Sequence, residues 1–283
     1  MEAWIAYVRA RPFFQAGLAI VLVICAMMVV GPLVAPHNPV QANPAVSLQP
    51  PSPNYWLGTD DNGFDVLSRV VAAPRVDIAI ALIATAISIG VGVPLGLWAG
   101  YFSGRRGPFG WLSEVLLRSM DMLQAFPVFI LALALVAALG PRIQNVIAAI
   151  AFVNIPVFVR LTRAETLSIR QRPFVEAARS GGSSHLRIAF HHVAPNALGP
   201  VLVQASVTIG WAVLLTAGLS FIGAGIPIPT PEWGSMIAIG ARDMVTGQWW
   251  PSVFPGIALG ISVVGFALVG DGFRGFLDPR SHG

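Results

Sequence analysis

Long apolar runs alternate with short polar segments along almost the whole chain. A helix that crosses the hydrocarbon core of a bilayer needs about 20 mostly apolar residues. Six runs meet this requirement and are predicted to be transmembrane helices. They are Ala16–Ala35, Ile78–Tyr101, Ser119–Leu139, Ile143–Leu161, Leu198–Gly225 and Val253–Gly270. Pro94, Pro127 and Pro156 lie inside three of these runs, where we expect kinks.

The second run carries three glycines, Gly92, Gly96 and Gly100, spaced four residues apart. Residues at this spacing share one face of a helix, and small residues there let two helix backbones approach closely in lipid. The pattern therefore predicts close packing of the second span against another helix.

Composition supports an integral membrane protein. The chain is 55% hydrophobic and only 11% charged, whereas soluble domains carry about 25% charged residues. We therefore predict an all-α polytopic membrane protein. The net charge of +4 does not indicate nucleic-acid binding, because no basic cluster is interleaved with aromatic residues. The single cysteine, Cys25, excludes a disulfide framework within the chain.

Arginine distribution predicts the orientation of the spans. All 17 basic residues are Arg. With the N-terminus in the cytoplasm, 13 lie on or beside inner segments and four on outer ones. Both termini are therefore predicted to be cytoplasmic. The first run is interpreted as an uncleaved anchor rather than a signal peptide, because Pro36 follows its small-residue exit.

The predicted organisation has three parts. Residues 1–76 hold the N-terminal tail, the first anchor and an outer proline-rich loop. Residues 77–275 form a transmembrane core with a polar loop at about 160–197, and residues 276–283 form a cytoplasmic tail.

The outer segments have a distinct character. Residues 36–53 contain six prolines and are predicted to be an extended connector without helix. In "YWLGTDDNGFDVLSR", Thr59 or Asp60 is a candidate cap for a short helix. Trp233, Trp249 and Trp250 suit interfacial anchoring, with partner contact as the alternative. Asp121 and Asp271 are predicted to be the only acidic residues near span boundaries, where local pairing, for instance of Asp271 with Arg274, is the alternative to a functional role.

The polar stretch "VEAARSGGSSHLRIAFHHVAPN", residues 175–196, interrupts the apolar pattern. Pro173 favours the first turn of a helix, Gly181 and Gly182 favour its end, and Ser183 or Ser184 can cap a second helix. Each predicted helix has an apolar face. The first face comprises Phe174, Ala177 and Ala178, and the second Leu186, Ala189, Phe190 and Val193, with Pro195 ending the helix. Faces this short must pack against the spans or against another protein.

Enzymatic alternatives find little support in the sequence. A P-loop needs a Lys that reaches the β- and γ-phosphates, and the chain contains none. An intramembrane hydrolase would use Ser220 of "GLSFIG", but none of the five His residues lies inside a predicted span. His191 and His192 are adjacent on a helix and point apart, so they make a poor metal site. A passive channel remains a third alternative.

The polar stretch resembles the EAA loop of permease subunits from bacterial ABC importers. The match rests on Glu176, Ala177, Ala178, Gly182 and Pro195. The segments "YWLGTDDNGFDVLSR", "LSFIGAG", "PTPEWGSM" and "GDGFRGFLDPR" are similar to the second permease of the dipeptide, oligopeptide and nickel group. Phe64 and Gly275 depart from that pattern, since Arg and an acidic residue are usual there.

This resemblance implies a non-catalytic subunit of an ATP-driven importer for di- or oligopeptides. Glutathione-like peptides or nickel chelates are the alternative cargo. The implied partners are a homologous second permease, two cytoplasmic ATPase domains that bind ATP and Mg, an extracytoplasmic binding protein and the lipid membrane. The residues expected to couple to the ATPase are Glu176, Ala177, Ala178, Gly181, Gly182 and Pro195. The candidates for an outer gate or docking surface are Asp60, Asp61, Asp65 and Trp233.

Overall fold

The computed structural model describes residues 7–8, 11–104 and 106–277. Throughout these residues the chain is built from helices, and this described part holds no β-strand. Five helices are long and apolar enough to cross a bilayer, and a sixth crossing requires two shorter helices to be counted together. The predicted all-α membrane fold is confirmed. Arg9, Arg105 and most of the predicted 276–283 tail lie outside the described residues.

The helices are α1 (Pro12–Val34), α2 (Val66–Ala72), α3 (Pro74–Phe102), α4 (Pro108–Ala125), α5 (Val128–Leu139), α6 (Ile143–Ile169), α7 (Pro173–Ser180), α8 (Ala194–Phe221), α9 (Trp233–Asp243) and α10 (Trp250–Leu277). Five of the six predicted spans correspond to α1, α3, α6, α8 and α10. Pro94 and Pro156 lie within α3 and α6, and neither residue ends its helix.

The predicted third span, Ser119–Leu139, is wrong as a single helix. α4 and α5 meet at an angle of 92° around Phe126 and Pro127. Proline disfavours the helical conformation in the residue before it, and Phe126 is extended, with φ −81° and ψ 138°. α5 has 12 residues, about 18 Å of helix, which is shorter than the hydrocarbon core.

The glycine face of α3 packs closely on α6, as the sequence predicts. A Cβ atom on Gly96 would lie 2.5 Å from the carbonyl oxygen of Val159, and one on Gly100 would lie 2.7 Å from the Cβ atom of Thr166. Gly92 meets α6 in the same way one turn earlier. Side chains at these positions would force the two backbones apart, so the glycines set the distance between α3 and α6.

The outer connector contains one 3₁₀ turn, Pro44–Val46, where the sequence predicts no helix. The predicted cap of α2 is also wrong. Asp65 caps this helix, because its carboxylate accepts a hydrogen bond from the Ser68 backbone N–H at 3.0 Å. Thr59 and Asp60 bond within the connector and the turn that precedes α2.

The second helix of the polar loop does not end at Pro195, contrary to the prediction. A short helix, His185–Arg187, continues into a π-helical segment, Ile188–Val193, and then into α8. Proline normally breaks a helix because its ring clashes with the carbonyl four residues earlier. Here that carbonyl belongs to the π-helical segment, whose wider i→i+5 pattern accommodates the ring.

Candidate functional site

The polar loop starts at a fixed point on the end of α3. Arg170 follows the last residue of α6, and its guanidinium donates hydrogen bonds to the carbonyls of Gly100, Tyr101 and Ser103 at 3.0, 3.3 and 3.2 Å. Carbonyls at a helix end have no partner within the helix. Arg170 therefore satisfies three of them and ties the loop to α3.

The turn between the two loop helices is closed by a glycine in the left-handed conformation. The Gly182 N–H donates to the Arg179 carbonyl at 3.0 Å, and the Ser183 N–H donates to the Ala178 carbonyl at 3.1 Å. This pair of bonds is the Schellman motif, which places a left-handed residue just past the helix end. Gly182 holds that position with φ +81°, so the predicted glycine stop of α7 is confirmed.

The second arm of the loop is fixed at its start. The Ser184 hydroxyl accepts a hydrogen bond from the Arg187 backbone N–H at 3.4 Å, as the predicted cap requires. The ring nitrogen Nδ1 of His185 lies 3.0 Å from the Tyr101 hydroxyl. Tyr101 is therefore the second point at which the C-terminal end of α3, its predicted inner end, holds the loop.

The loop has a buried apolar side and an exposed apolar side. Val175, Ile188 and Val193 are fully buried in a cluster with the inner end of α3. Phe174, by contrast, is 40% exposed. The two faces predicted from the sequence are therefore wrong in part: Ala178, Ala189 and Val193 face the cluster, whereas Phe174, Ala177, Leu186 and Phe190 face outward.

The predicted coupling residues lie on the outward side of the loop. Glu176, Ala177, Gly181, Gly182 and Pro195 are exposed, and Ala178 is half-buried. Pro195 lies at the start of α8, away from the glycine turn. The exposed side thus combines a small, glycine-closed tip with large apolar side chains on both sides of it.

The four residues predicted to form an outer gate or docking surface differ in their exposure to solvent. Asp60, Asp65 and Trp233 are buried, whereas Asp61 is exposed. The Asp60 carboxylate accepts hydrogen bonds from the backbone N–H groups of Asn62 and Phe64 at 3.0 and 2.9 Å. Burial raises the pKa of Asp60 to about 6, although these N–H groups and Arg69 oppose the shift.

Arg69 holds the outer segments together, a role that the sequence analysis missed. Its guanidinium is fully buried and donates to the carbonyls of Pro39 and Pro229, each at 3.0 Å. It also lies 4.3 Å from the ring centre of Phe64. In the charge pattern Arg69 is only one of the four outer arginines. The sequence around it does not identify its hydrogen-bond partners, which lie 30 and 160 residues away.

Acidic residues near the spans differ from the expectation. Asp121 pairs with Arg160 at 2.9 Å, joining α4 to α6. Among the residues described, no ion pair joins Asp271 to Arg274. The prediction of only two acidic residues near span boundaries is wrong, because Asp77 immediately precedes the second predicted span and is buried beside Glu232.

Ser220, the candidate nucleophile of the hydrolase alternative, has a backbone N–H and a carboxyl group beside its hydroxyl. Its hydroxyl accepts a hydrogen bond from the Ile226 backbone N–H at 3.3 Å and contacts Glu232. In the part of the chain that the structure describes, no group of three or more His, Cys, Asp or Glu residues is arranged to hold a metal ion.

Comparisons with known proteins agree with this architecture. The chain is 39% identical to the dipeptide transport system permease protein of Alkalihalophilus pseudofirmus, over 93% of this chain and 84% of the relative. It is 40% identical to the di/tripeptide transport system permease protein of Pseudomonas aeruginosa, over 93% and 87%. The glutathione transport system permease protein of Pectobacterium atrosepticum is 35% identical, over 99% and 90%.

Two family models also match, and together they account for most of the chain. Residues 2–51 match the N-terminal transmembrane domain of oligopeptide transport permease C. Residues 92–283 match the binding-protein-dependent transport system inner membrane component. This second match covers the glycine face of α3, the polar loop and all the later helices. The chain therefore belongs to the family of binding-protein-dependent transport system inner membrane components.

Proposed function

We propose that the chain is a permease subunit of an ATP-driven importer for di- or oligopeptides. It forms half of the translocation path and couples to a separate ATPase through the polar loop. The observation that carries the proposal is the loop itself. It is fixed rigidly to the spans on one side and exposes an apolar, glycine-closed surface on the other.

The exposed side of the loop suits a protein groove. Leu186 and Phe190 are 61% and 57% exposed, one helical turn apart, and Phe174 lies across the glycine turn in α7. Large apolar side chains on a segment in contact with water gain free energy when a partner covers them. The tip at Gly181 and Gly182 carries no side chain, which lets it enter a narrow groove.

Movement of the loop reaches the spans through two rigid connections. Val175, Ile188 and Val193 pack on the inner end of α3, and the second arm continues into α8 as one helical stretch. A force applied by an ATPase at the tip therefore acts on both helices. Alternating access then follows when the helices rock between two arrangements.

In the proposed orientation of the spans, the polar loop lies in the cytoplasm. The support is the excess of arginine on one side of the spans, 13 of 17 residues, as expected for cytoplasmic segments of a membrane protein. Both termini lie on that side. The connector, α2 and α9 then face the outside of the cytoplasmic membrane, where a binding protein delivers the ligand.

The remaining partners follow from the proposed importer. A homologous second permease completes the path, and two cytoplasmic ATPase domains bind ATP and Mg. This chain lacks Lys and therefore an ordinary P-loop. The purified chain is expected to hydrolyse no ATP, and turnover that co-purifies with it through every chromatographic step would contradict the proposal.

The peptide cargo is supported by the relatives named dipeptide and di/tripeptide permeases. The relative named for glutathione supports glutathione-like peptides as the second candidate. Titration of the binding protein with dipeptides, longer peptides, glutathione and nickel chelates separates these possibilities, because that protein selects the ligand before the permease receives it.

Docking of the binding protein on the outer surface is proposed for Asp61, which alone of the four candidates is exposed. Asp60, Asp65 and Trp233 shape this surface from beneath. Asp61→Ala is expected to weaken binding-protein affinity, measured on the reconstituted importer. Unchanged affinity and uptake would remove Asp61 from the docking surface.

The experiment that tests the coupling role replaces exposed apolar residues of the loop. Leu186→Ser with Phe190→Ser is expected to reduce ATPase pull-down and peptide uptake together, at equal membrane levels of the permease. Val245→Ser is the control, since Val245 is 90% exposed in the turn between α9 and α10, remote in sequence from the loop. Normal pull-down by the double variant would show that the exposed side of the loop does not dock the ATPase.

A further inference from the structure

Two carboxyl groups are buried together between α3 and α9. Asp77 lies in the first turn of α3 and is 2% exposed, and Glu232 precedes α9 and is fully buried. The two side chains are in hydrogen-bond contact. Two carboxyl groups that are in contact and away from water do not both ionise, because water does not screen the repulsion between their charges. One proton therefore belongs to the pair.

Hydrogen bonds around Glu232 favour its charged form. Its Oε1 atom accepts from the Gly234 N–H at 2.8 Å, and its Oε2 atom accepts from the Ser235 N–H at 2.6 Å. Both oxygens thus face donors at the start of α9. A carboxylate that accepts backbone N–H bonds is stabilised as the anion.

Asp77 has the opposite surroundings. Its Oδ2 atom accepts from the Trp233 N–H at 3.1 Å. Its Oδ1 atom is buried and has no hydrogen-bond donor among the described residues. We propose that Asp77 and Glu232 form a proton-binding site, in which Asp77 carries the proton and donates a hydrogen bond to the anionic Glu232.

The nearest charged groups reinforce this assignment. Arg69 of α2 attracts Glu232, and it also attracts Asp60, which lies in the turn before α2. From α8, the Ser220 hydroxyl contacts Glu232. Both groups act on Glu232 and stabilise its charge, whereas among the described residues the charged group that acts on Asp77 is Glu232 itself.

The site links the outer helix α9 to α3 through a proton. At a pH above the ordinary pKa of Asp, the unfolded chain has released this proton, whereas the folded chain still holds it on Asp77. Stability from this bond is therefore greatest at low pH and is lost as pH rises toward the point at which the folded protein releases the proton. Release places two anions in contact and separates α9 from α3.

The test compares Asp77→Asn with the wild-type chain, full-length and in lipid nanodiscs. Asn keeps both bonds without a proton, since its oxygen accepts from Trp233 and its amide donates to Glu232. Between the ordinary pKa of Asp and the pH at which the folded wild type releases the proton, the unfolding equilibrium constant of the wild type is expected to rise relative to that of Asp77→Asn by about tenfold per pH unit. Asp271→Asn is the control, because it removes an exposed acid elsewhere.

Glu232→Gln distinguishes the two partners. Its amide would face a backbone N–H of α9, so this variant is expected to be less stable than the wild type at every pH. A Glu232→Gln variant as stable as the wild type would place the proton on Glu232 and overturn the assignment. An identical pH dependence for Asp77→Asn and wild type would overturn the site.

Infrared spectroscopy supplies a measurement that does not depend on the folding of a variant. The wild-type chain at neutral pH is expected to show the carbonyl stretch of a buried protonated carboxyl, and specific isotope labelling of Asp assigns it. Absence of this band would refute the proposal. None of these outcomes depends on which cargo is transported or on the ATPase.

Discussion

Gly182 offers a direct test of the loop as a coupling element. Its φ of +81° lies in the left-handed region, and no atom of another described residue lies within 4 Å of the position that a Cβ atom would occupy. A substitution there meets no steric obstacle within the described chain, so its cost within this chain comes from the backbone conformation. A non-glycine residue in this conformation costs about 1–2 kcal/mol, and a β-branched one costs more.

That cost is large enough to change the turn. About 1–2 kcal/mol reduces the population of the native turn relative to alternatives by roughly 5- to 30-fold. Gly182→Val is therefore expected to leave the spans folded, to weaken ATPase binding and to abolish uptake. Gly182→Ala is expected to have a smaller effect in the same direction. Gly181→Ala is the matched control, because Gly181 has φ −73° and its Cβ atom would make only ordinary contact, 3.4 Å from the Ala177 carbonyl oxygen.

The assay measures ATPase pull-down and peptide uptake for the three variants at equal membrane levels. Both quantities are expected to decrease in the order Gly181→Ala, Gly182→Ala, Gly182→Val. Full uptake by Gly182→Val would show that the turn is only a linker. A loss as severe in Gly181→Ala would show that any side chain at the tip blocks docking, rather than the strained backbone.

Three further predictions concern packing, pH and orientation. Gly96→Ala is expected to lower the free energy of unfolding by about 1–3 kcal/mol through overpacking, and so to lower the thermal unfolding midpoint, whereas Gly90→Ala, whose Cβ atom would have no described atom within 4 Å, leaves the midpoint unchanged. Because the pKa of Asp60 is about 6 in the folded state and near 4 in the unfolded chain, this residue's contribution to stability decreases as pH rises from about 4 to about 6; Asp60→Asn removes that slope. A Cys at Asn54 is expected to react with an impermeant maleimide in intact cells and one at Ser184 is not, and labelling at Ser184 would overturn the orientation.

The long apolar runs predict most of the fold because a bilayer imposes a length on every span. The polar loop is also predictable, since Gly181 and Gly182 follow a helical pattern and Ser184 follows them. The bend at Pro127 shows where this reasoning fails. Hydropathy sums over a window and does not register that one proline, with an extended Phe126 before it, divides an apolar run.

Side-chain burial in the loop and on the outer surface was less predictable. Val175 and Ile188 are buried because the inner end of α3 lies against them, and this neighbour is distant in sequence. Arg69, Asp77 and Glu232 are buried for the same reason. The local sequence shows that a residue is charged, but the groups that bury it and form its hydrogen bonds come from segments distant in sequence.

The unbroken helical stretch from His185 to Phe221 has a mechanical consequence. Its 37 residues correspond to a lever of about 55 Å, so that a tilt of about 10° at its inner end displaces its outer end by about 10 Å. The π-helical segment at residues 188–193 lies near the N-terminal end of this stretch, so a displacement of the glycine turn reaches α8 through it.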